Sequence, residues 1–450
     1  MTTRLMAASA ALCLVMGLLG CVDGPESERG TVSAERLLSS FEDDGEMAGW
    51  AAGSGVTMER SGEHATEGNR ALRVTLPENG LAGVECQLGE ADWSGYTSLR
   101  MDVVYPYEDR LVLAVRVDDE DSSNYATRFN LDDGSITLTP GRNEIEISMR
   151  ELASGRPGSR GVDLTRIRSL YLFPLGDRPE RTIFLDNVRL EALDARAFPS
   201  PAVIDGFEEA GRLEAWQVSE GVQVAPSTEQ ATEGERSLRV RLPGEPWPGV
   251  SLFDLPRNWL PYDWLLLDVY NDTDDTMMVG VWVRDGVSKV TVATVLRPGA
   301  NRIQIPVDFL SQLRLRTING LCLFVSQPAA DTVLYVDNIR LERWPVAAAA
   351  AEAPAPSASL VLDYSSLASV ARNTPFLANV YLKGSGEGSQ VVRLRPVERD
   401  LTRHTLAVTP GPLVVSSFFL DHGTWFFNTR TVEVAGAETT VRYEPGDFAH

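Results

Sequence analysis

The stretch FLDNVRLE, Phe184 to Glu191, returns as YVDNIRLE, Tyr335 to Glu342. Apolar and polar residues alternate through both copies, the period-two pattern of a strand with one face toward a core. That register sets Phe184, Asp186, Val188 and Leu190 on one face and Leu185, Asn187, Arg189 and Glu191 on the other. An acid is therefore expected on the mostly apolar face twice, at Asp186 and at Asp337. A carboxylate taken out of water needs a partner, either a cation or a set of backbone N–H groups.

Outward from the octapeptide the duplication grows. FEDDGEMAGW from Phe41 and FEEAGRLEAW from Phe207 share Phe, Glu, Gly and Trp at a spacing of 166 residues. The same spacing aligns ATEGNRALRVTLP from Ala65 with ATEGERSLRVRLP from Ala231, and Trp93 with Trp259. PGRN at Pro140 matches PGAN at Pro298 at a spacing of 158, so the first copy carries about eight extra residues. LYLF at Leu170 and LCLF at Leu321 then lead into the octapeptides at a spacing of 151. Ordered matches over such a length are an internal repeat. Each copy reads as short alternating runs such as ALRVTL, LVLAVRV and NEIEISM, separated by Gly, Pro, Asn and Asp turns. The expected fold class is all-β: two tandem jelly-roll β-sandwiches and a smaller C-terminal β-sandwich.

The expected organisation follows. Residues 1–21 are a signal peptide, 22–37 a flexible tether, and 38–191 the first sandwich. Residues 192–202 are a linker, 203–343 the second sandwich, 344–359 an Ala/Pro linker and 360–450 the small sandwich. The leader ends in Leu18-Leu19-Gly20-Cys21, which resembles the lipobox of bacterial lipoproteins. The resemblance implies cleavage before Cys21, acyl chains carried by that cysteine, and attachment to a membrane through lipid. Val22 and Asp23 after the cysteine imply the outer membrane, so the expected location is the bacterial cell envelope.

The motifs FE…W, TEGxxxLRV, PGxNxIxI and the closing LDNVRL together resemble the galactose-binding-like jelly roll that hosts many carbohydrate-binding modules. The C-terminal VEVAGAETTVRY resembles, over a short span, the last hairpin of transthyretin-like and carboxypeptidase-regulatory-like domains. The galactose-binding-like resemblance implies a structural calcium in each repeat, joining the first strand to the last. Carried over by position, its ligands are Glu42 with Asp186, and Glu208 with Asp337. Backbone N–H donors stand as the other partner for these aspartates.

Composition narrows the function. A formal charge of −22 opposes nucleic-acid binding, which needs basic surface. The four histidines, His64, His404, His422 and His450, form no HExxH, and no CxxC, GxSxG or phosphate loop occurs. The acid run at Val117–Tyr125 is expected to be a solvated loop, so no catalytic group is assigned. Sugar binding needs aromatic faces and hydroxyl partners. In the first repeat, pairing of the two runs would bring Arg116 and Asp118 beside Arg128 and Asn130, with Tyr171 flanking them, as either a ligand patch or a cross-strand ion-pair network. Trp282 and Arg284 occupy the corresponding strand of the second repeat, and Trp247 is a further aromatic there. The expected function is non-catalytic, lipid-anchored binding of a glycan. The alternative is an envelope lipoprotein that uses the same sandwiches as scaffold toward a protein partner.

Overall fold

In the computed structural model the described residues are 32–155, 161–209, 211–328, 332–343, 357–366, 379–384, 390–393, 403–408, 410–421 and 424–447. The first repeat contains β1 (Val32–Ser39), β2 (Trp50–Ala52), β3 (Thr57–Ser61), β4 (Ala71–Leu76), β5 (Val84–Ala91) and β6 (Ser98–Tyr105). It continues with β7 (Leu111–Asp119), β8 (Phe129–Leu138), β9 (Gly141–Ser148), β10 (Ile167–Pro174) and β11 (Arg181–Leu193). One antiparallel sheet runs β3-β4-β11-β6-β9 and the other β2-β5-β10-β7-β8. Numbered from β4, the eight main strands take the order 1-8-3-6 over 2-7-4-5. That is two interlocked Greek keys, a jelly roll.

The second repeat reproduces it strand for strand. Its members are β12 (Ala202–Asp205), β13 (Trp216–Val218), β14 (Gln223–Ser227), β15 (Ser237–Leu242), β16 (Gly249–Leu252) and β17 (Trp264–Asn271). They are followed by β18 (Met277–Arg284), β19 (Lys289–Leu296), β20 (Gly299–Pro306), β21 (Gly320–Val325) and β22 (Thr332–Glu342). The sheets are β14-β15-β22-β17-β20 and β13-β16-β21-β18-β19. Each repeat has its own core. Trp93 and Phe41 lie fully buried in one, and Trp259 occupies the matching place in the other.

The closing strands depart from simple alternation. Ile183, Leu185, Val188 and Leu190 enter the core, while Phe184 packs with Ala71 and Val104 on the opposite face. The face changes because pairing with β6 slips between Asp186 and Arg189. Asn187 sits there at φ 51°, and Asn338 at φ 52° in the second repeat. One residue in the left-handed region inserts a bulge and reverses the alternation. Asp186 consequently does not share a face with Val188 and Leu190. It lies fully buried on the outer face, opposite Asp102.

Three expected boundaries move by two residues or more. The tether expected through residue 37 gives way to β1 from Val32, paired with β11 from Val32↔Leu193 to Ser39↔Val188. Residues 33–37 are exposed, so their polar composition resembled a linker; it is backbone pairing that orders them. The linker expected from 192 begins two residues later, since Ala192 and Leu193 are buried in β11. The Ala/Pro linker expected through 359 ends earlier, where β23 (Ala358–Asp363) begins.

The C-terminal unit adds β24 (Asn379–Gly384), β25 (Gln390–Arg393), β26 (Arg403–Val408), β27 (Gly411–Asp421), β28 (Thr424–Val434) and β29 (Glu438–Arg442). A three-stranded sheet β26-β23-β29 packs on β28-β27-β24-β25, and Leu360, Tyr364, Val415 and Tyr443 lie between them. The second of these sheets is continuous with the second repeat, because β28 pairs in parallel with β19 at Val292↔Trp425 and Ala293↔Phe426. Phe427 completes that repeat's core, and Val414 covers Trp264 and Leu266.

Candidate functional site

The duplicated aspartates come first, because the octapeptide raised them. Asp186 Oδ2 accepts from the backbone N–H of Thr66 (2.7 Å) and of Glu67 (3.0 Å), with Thr66 Oγ1 at 3.1 Å. Its Oδ1 accepts from Asn187 N–H at 2.7 Å. Asp337 repeats this with Thr232, Glu233 and Asn338. Glu42 Oε1 accepts from Asn69 and Arg70 N–H at 2.7 and 2.6 Å, and Glu208 Oε1 from Glu235 and Arg236 at 2.9 and 2.8 Å. The N–H of Asn69, ahead of that of Arg70, holds the Glu42 carboxyl below its usual range.

These residues do not fit a calcium ion. Calcium takes six to eight oxygen lone pairs, whereas N–H hydrogens already point at the Asp186 and Asp337 oxygens. The nearby carbonyls of Phe41 and Glu42 accept from Arg60, at 2.6 Å (Nε) and 2.5 Å (Nη2). Among the described residues no three acids, histidines or cysteines converge as a ligand set. The TEG turn is shaped to this purpose. A Cβ on Gly68, at φ +64°, would lie 2.5 Å from Glu42 Oε1, and one on Gly234 would lie 2.4 Å from Glu208 Oε1.

The outer faces of the β5-β10-β7-β8 sheet and its counterpart are the second feature. Strand register lines up Glu85, Tyr171, Arg116 and Asn130 across four strands of the first repeat. The Arg116 guanidinium lies over the Tyr171 ring at 4.7 Å, a cation–π contact. Asp118 stands 3.2 Å from Arg116 Nε and 3.6 Å from Arg128 Nε, and Glu85 is 3.6 Å from Arg116 Nη2. These are charge contacts without hydrogen-bond alignment: Arg116 Nε, Arg128 Nε and Asp118 Oδ1 are buried and without a hydrogen-bond partner. Burial raises the Asp118 carboxyl above its ordinary value, against the pull of Arg116 and Arg128. Asn130 is tied down, donating from Nδ2 to the Tyr125 carbonyl at 3.0 Å. The tyrosine hydroxyl is engaged too, accepting from Gly83 N–H and donating to the Leu81 carbonyl.

The acid run beyond Asp118 is a structured loop. Asp119 is buried and accepts from Ser122 Oγ and from Asp163 N–H, while Glu120 and Asp121 face Arg166. Each acid of the run thus has a donor or a cation beside it, Glu120 and Asp121 sharing Arg166.

On the second repeat the matching face is aromatic. Trp282 lies 6.1 Å from Phe253 between ring centroids, and Arg284 sits over Phe253 at 4.6 Å and over Trp282 at 5.7 Å. One row along, Phe324 lies beside Gly280, where a Cβ would come within 2.1 Å of the ring. Trp247 meets Phe324 edge-on at 5.9 Å and stays 55% exposed at φ 63°. Trp247, Trp282 and Arg284 are thus brought onto one sheet face. Phe253, Phe324 and, in the first repeat, Glu85 belong to these faces without having been singled out in sequence. Phe324 was accessible there, since it matches Phe173 in the aligned LYLF and LCLF runs. Beneath Trp282 lies Cys322; burial pushes its thiol up to about 12, and that of Cys86 likewise, so both are inert packing groups. Cys21 lies outside the described residues.

No known protein family matches the sequence, and no curated protein matches it. Solved structures do overlap it. The tandem CBM22-1–CBM22-2 domain of Paenibacillus barcinonensis is 16% identical over 69% of this chain and 99% of that one, at a TM-score of 0.28. A family 11 carbohydrate-binding module of Clostridium thermocellum, in complex with a β-1,3-1,4-mixed-linked tetrasaccharide, is 18% identical over 35% and 96%, at 0.28. An exo-β-agarase is 13% identical over 33% and 25%, also at 0.28. The jelly-roll assignment rests on the chain's own strand order.

Proposed function

We propose that this chain is a non-catalytic, lipid-anchored protein of the bacterial cell envelope that binds carbohydrate on the outer sheet faces of its two jelly rolls. One observation carries the reading: the surface of Trp282, Phe253, Phe324 and Trp247 on one sheet face, with the Arg284 guanidinium over Phe253 and Trp282. Flat aromatic faces beside a fork of N–H donors suit the C–H faces and hydroxyls of a sugar ring. In the first repeat Arg116, Asp118, Arg128 and Tyr171 offer donors and an acceptor within one patch. Lipid on Cys21 would hold both faces at the membrane with residues 22–31 between.

The test is a pull-down of the chain from Val22 on a panel of plant, algal and bacterial polysaccharides. Retention by at least one glycan, lost in Trp282→Ala, is the expected result. Uniform failure across the panel would overturn the reading in favour of a scaffold role.

A further inference from the structure

Three arginines among the described residues are at least nine-tenths buried: Arg178, Arg189 and Arg340. Two have an acid at hand, Arg189 with Glu191 at 3.0 Å and Arg340 with Glu342. Arg178 has none. Its Nη1 donates to the Gly80 carbonyl at 3.1 Å, and its Nε and Nη2 are buried with no hydrogen-bond partner. A guanidinium cannot shed its charge, so burying it beside no anion is costly. Burial alone depresses its proton affinity. The chain around it is acidic overall, yet Asp177, Glu180 and Glu78 all stay exposed.

The orphaned atoms have a chemistry. Nε and Nη2 form one edge of the guanidinium, two parallel N–H groups spaced for the two oxygens of a carboxylate or of a sulfate. Their place is equally specific. Arg178 is bound to the turn at 79–83 by its side chain, by a backbone bond from Asn79 N–H to the Arg178 carbonyl, and by its own N–H, which donates to the Asn79 side-chain Oδ1 at 2.8 Å. The other side of that turn is held by Tyr171, whose hydroxyl donates to the Leu81 carbonyl. Tyr171 carries Arg116 on its ring, so this turn separates Arg178 from the polar face of the first repeat. Leu81 projects from it, 61% exposed. The second repeat has Trp247 at the position of Leu81 and no arginine at the position of Arg178, where the aligned spacing gives Ala329.

We propose that Arg178 anchors an anion site at the end of the first repeat's sheet face, taking the carboxylate of a uronic acid or the sulfate of a sulfated sugar. The turn at 79–83 shifts to admit the group, and the fork then receives the two oxygens it lacks. The two repeats thereby divide the ligand: an acidic sugar at the first, an uncharged ring face at the aromatic second. This inference rests on the glycan reading for the source of the anion.

Affinity electrophoresis of the chain from Val22 in polygalacturonate, in the same polymer after carboxyl reduction, and in a sulfated galactan tests it. The wild type should bind one anionic polymer about ten- to a hundredfold better than the reduced one, the range for a charge-assisted bidentate contact. Preference for polygalacturonate assigns carboxylate; preference for the galactan assigns sulfate. Arg178→Met should lose that preference and keep retention by uncharged glycans through Trp282. Arg178→Lys, which keeps charge without the fork, should fall between, and carries the test should the Met variant misfold. No preference for either anionic polymer, with uncharged glycans still bound, overturns this site and leaves the glycan reading standing. An undiminished preference in both variants also overturns it. No retention in any polymer overturns both.

Discussion

Asp186 and Asn187 divide one task. The asparagine accepts the left-handed backbone that makes the bulge, and the aspartate uses the resulting position to gather N–H groups from the Thr66 turn. Replacing Asn187 by Ala forces an alanine to φ near 51° and removes its contact to Asp102. The expected loss is about 1–2 kcal/mol in urea unfolding, with Asn187→Gly milder. Asp186→Ala strands buried N–H donors and should cost about 3 kcal/mol or more. With N–H donors already on these acids, calcium and EDTA should leave the melting temperature of a demetallated sample unchanged; a rise with calcium would contradict this. Asp118 supplies a pH signature. Its folded pKa is raised by burial, so its contribution to stability is complete below the unfolded Asp value and is lost as pH rises through the folded one. Stability of Asp118→Asn should therefore fall less than that of the wild type as pH climbs from about 4. The sequence identified Asp186 and Asp337 but set them on the same face as the residues after the bulge. Alternation cannot register an inserted residue, and Asn at φ above zero leaves no mark in hydrophobic pattern.

At the scale of elements, duplication made the strands legible. The strand runs and the sandwich class follow from two aligned copies with turns between the runs, whereas the order of strands in the sheets comes from the structure; the contrast between an ionic face and an aromatic one could be read from Arg116 against Trp282. What stayed hidden depends on backbone pairing and on neighbours in space. β1 has exposed side chains over residues 33–37 and is ordered through its ladder to β11. Phe253 lies just past the end of β16, where no periodicity signals its turn toward Trp282. Gly280 is the element-level test of the aromatic face. Gly280→Ala places a methyl into the Phe324 ring and should cost about 1–3 kcal/mol by overpacking. Glycan affinity should fall with it, as the displaced ring disturbs Trp247; unchanged affinity would show that Phe324 is no part of the surface.

The whole molecule is tied together more tightly than its linkers suggest. Arg316 of the second repeat reaches Glu146, Glu191 and Ser98 of the first, and Arg150 of the first reaches Asp308 at 2.7 Å and Asp263 at 3.3 Å of the second. Glu191 retains Arg100 and Arg189 when Arg316 is removed, so Arg316→Ala should cost about 1–3 kcal/mol and not more. A double Arg150→Ala, Arg316→Ala variant should split one calorimetric transition for the two repeats into two. The C-terminal unit is joined by strand pairing and by Phe427, whose truncation to Ala should cost about 3–5 kcal/mol in the second repeat's core. Neither joint was legible, because residues far apart in sequence form them and an Ala/Pro segment precedes the unit. The central claim remains the sugar-binding face of the second repeat. Isothermal titration of the wild type and Trp282→Ala with the tightest glycan from the panel tests it directly. The account predicts at least about a tenfold loss in affinity, as for a buried aromatic anchor, with folding unchanged; equal affinity in the two proteins would contradict it.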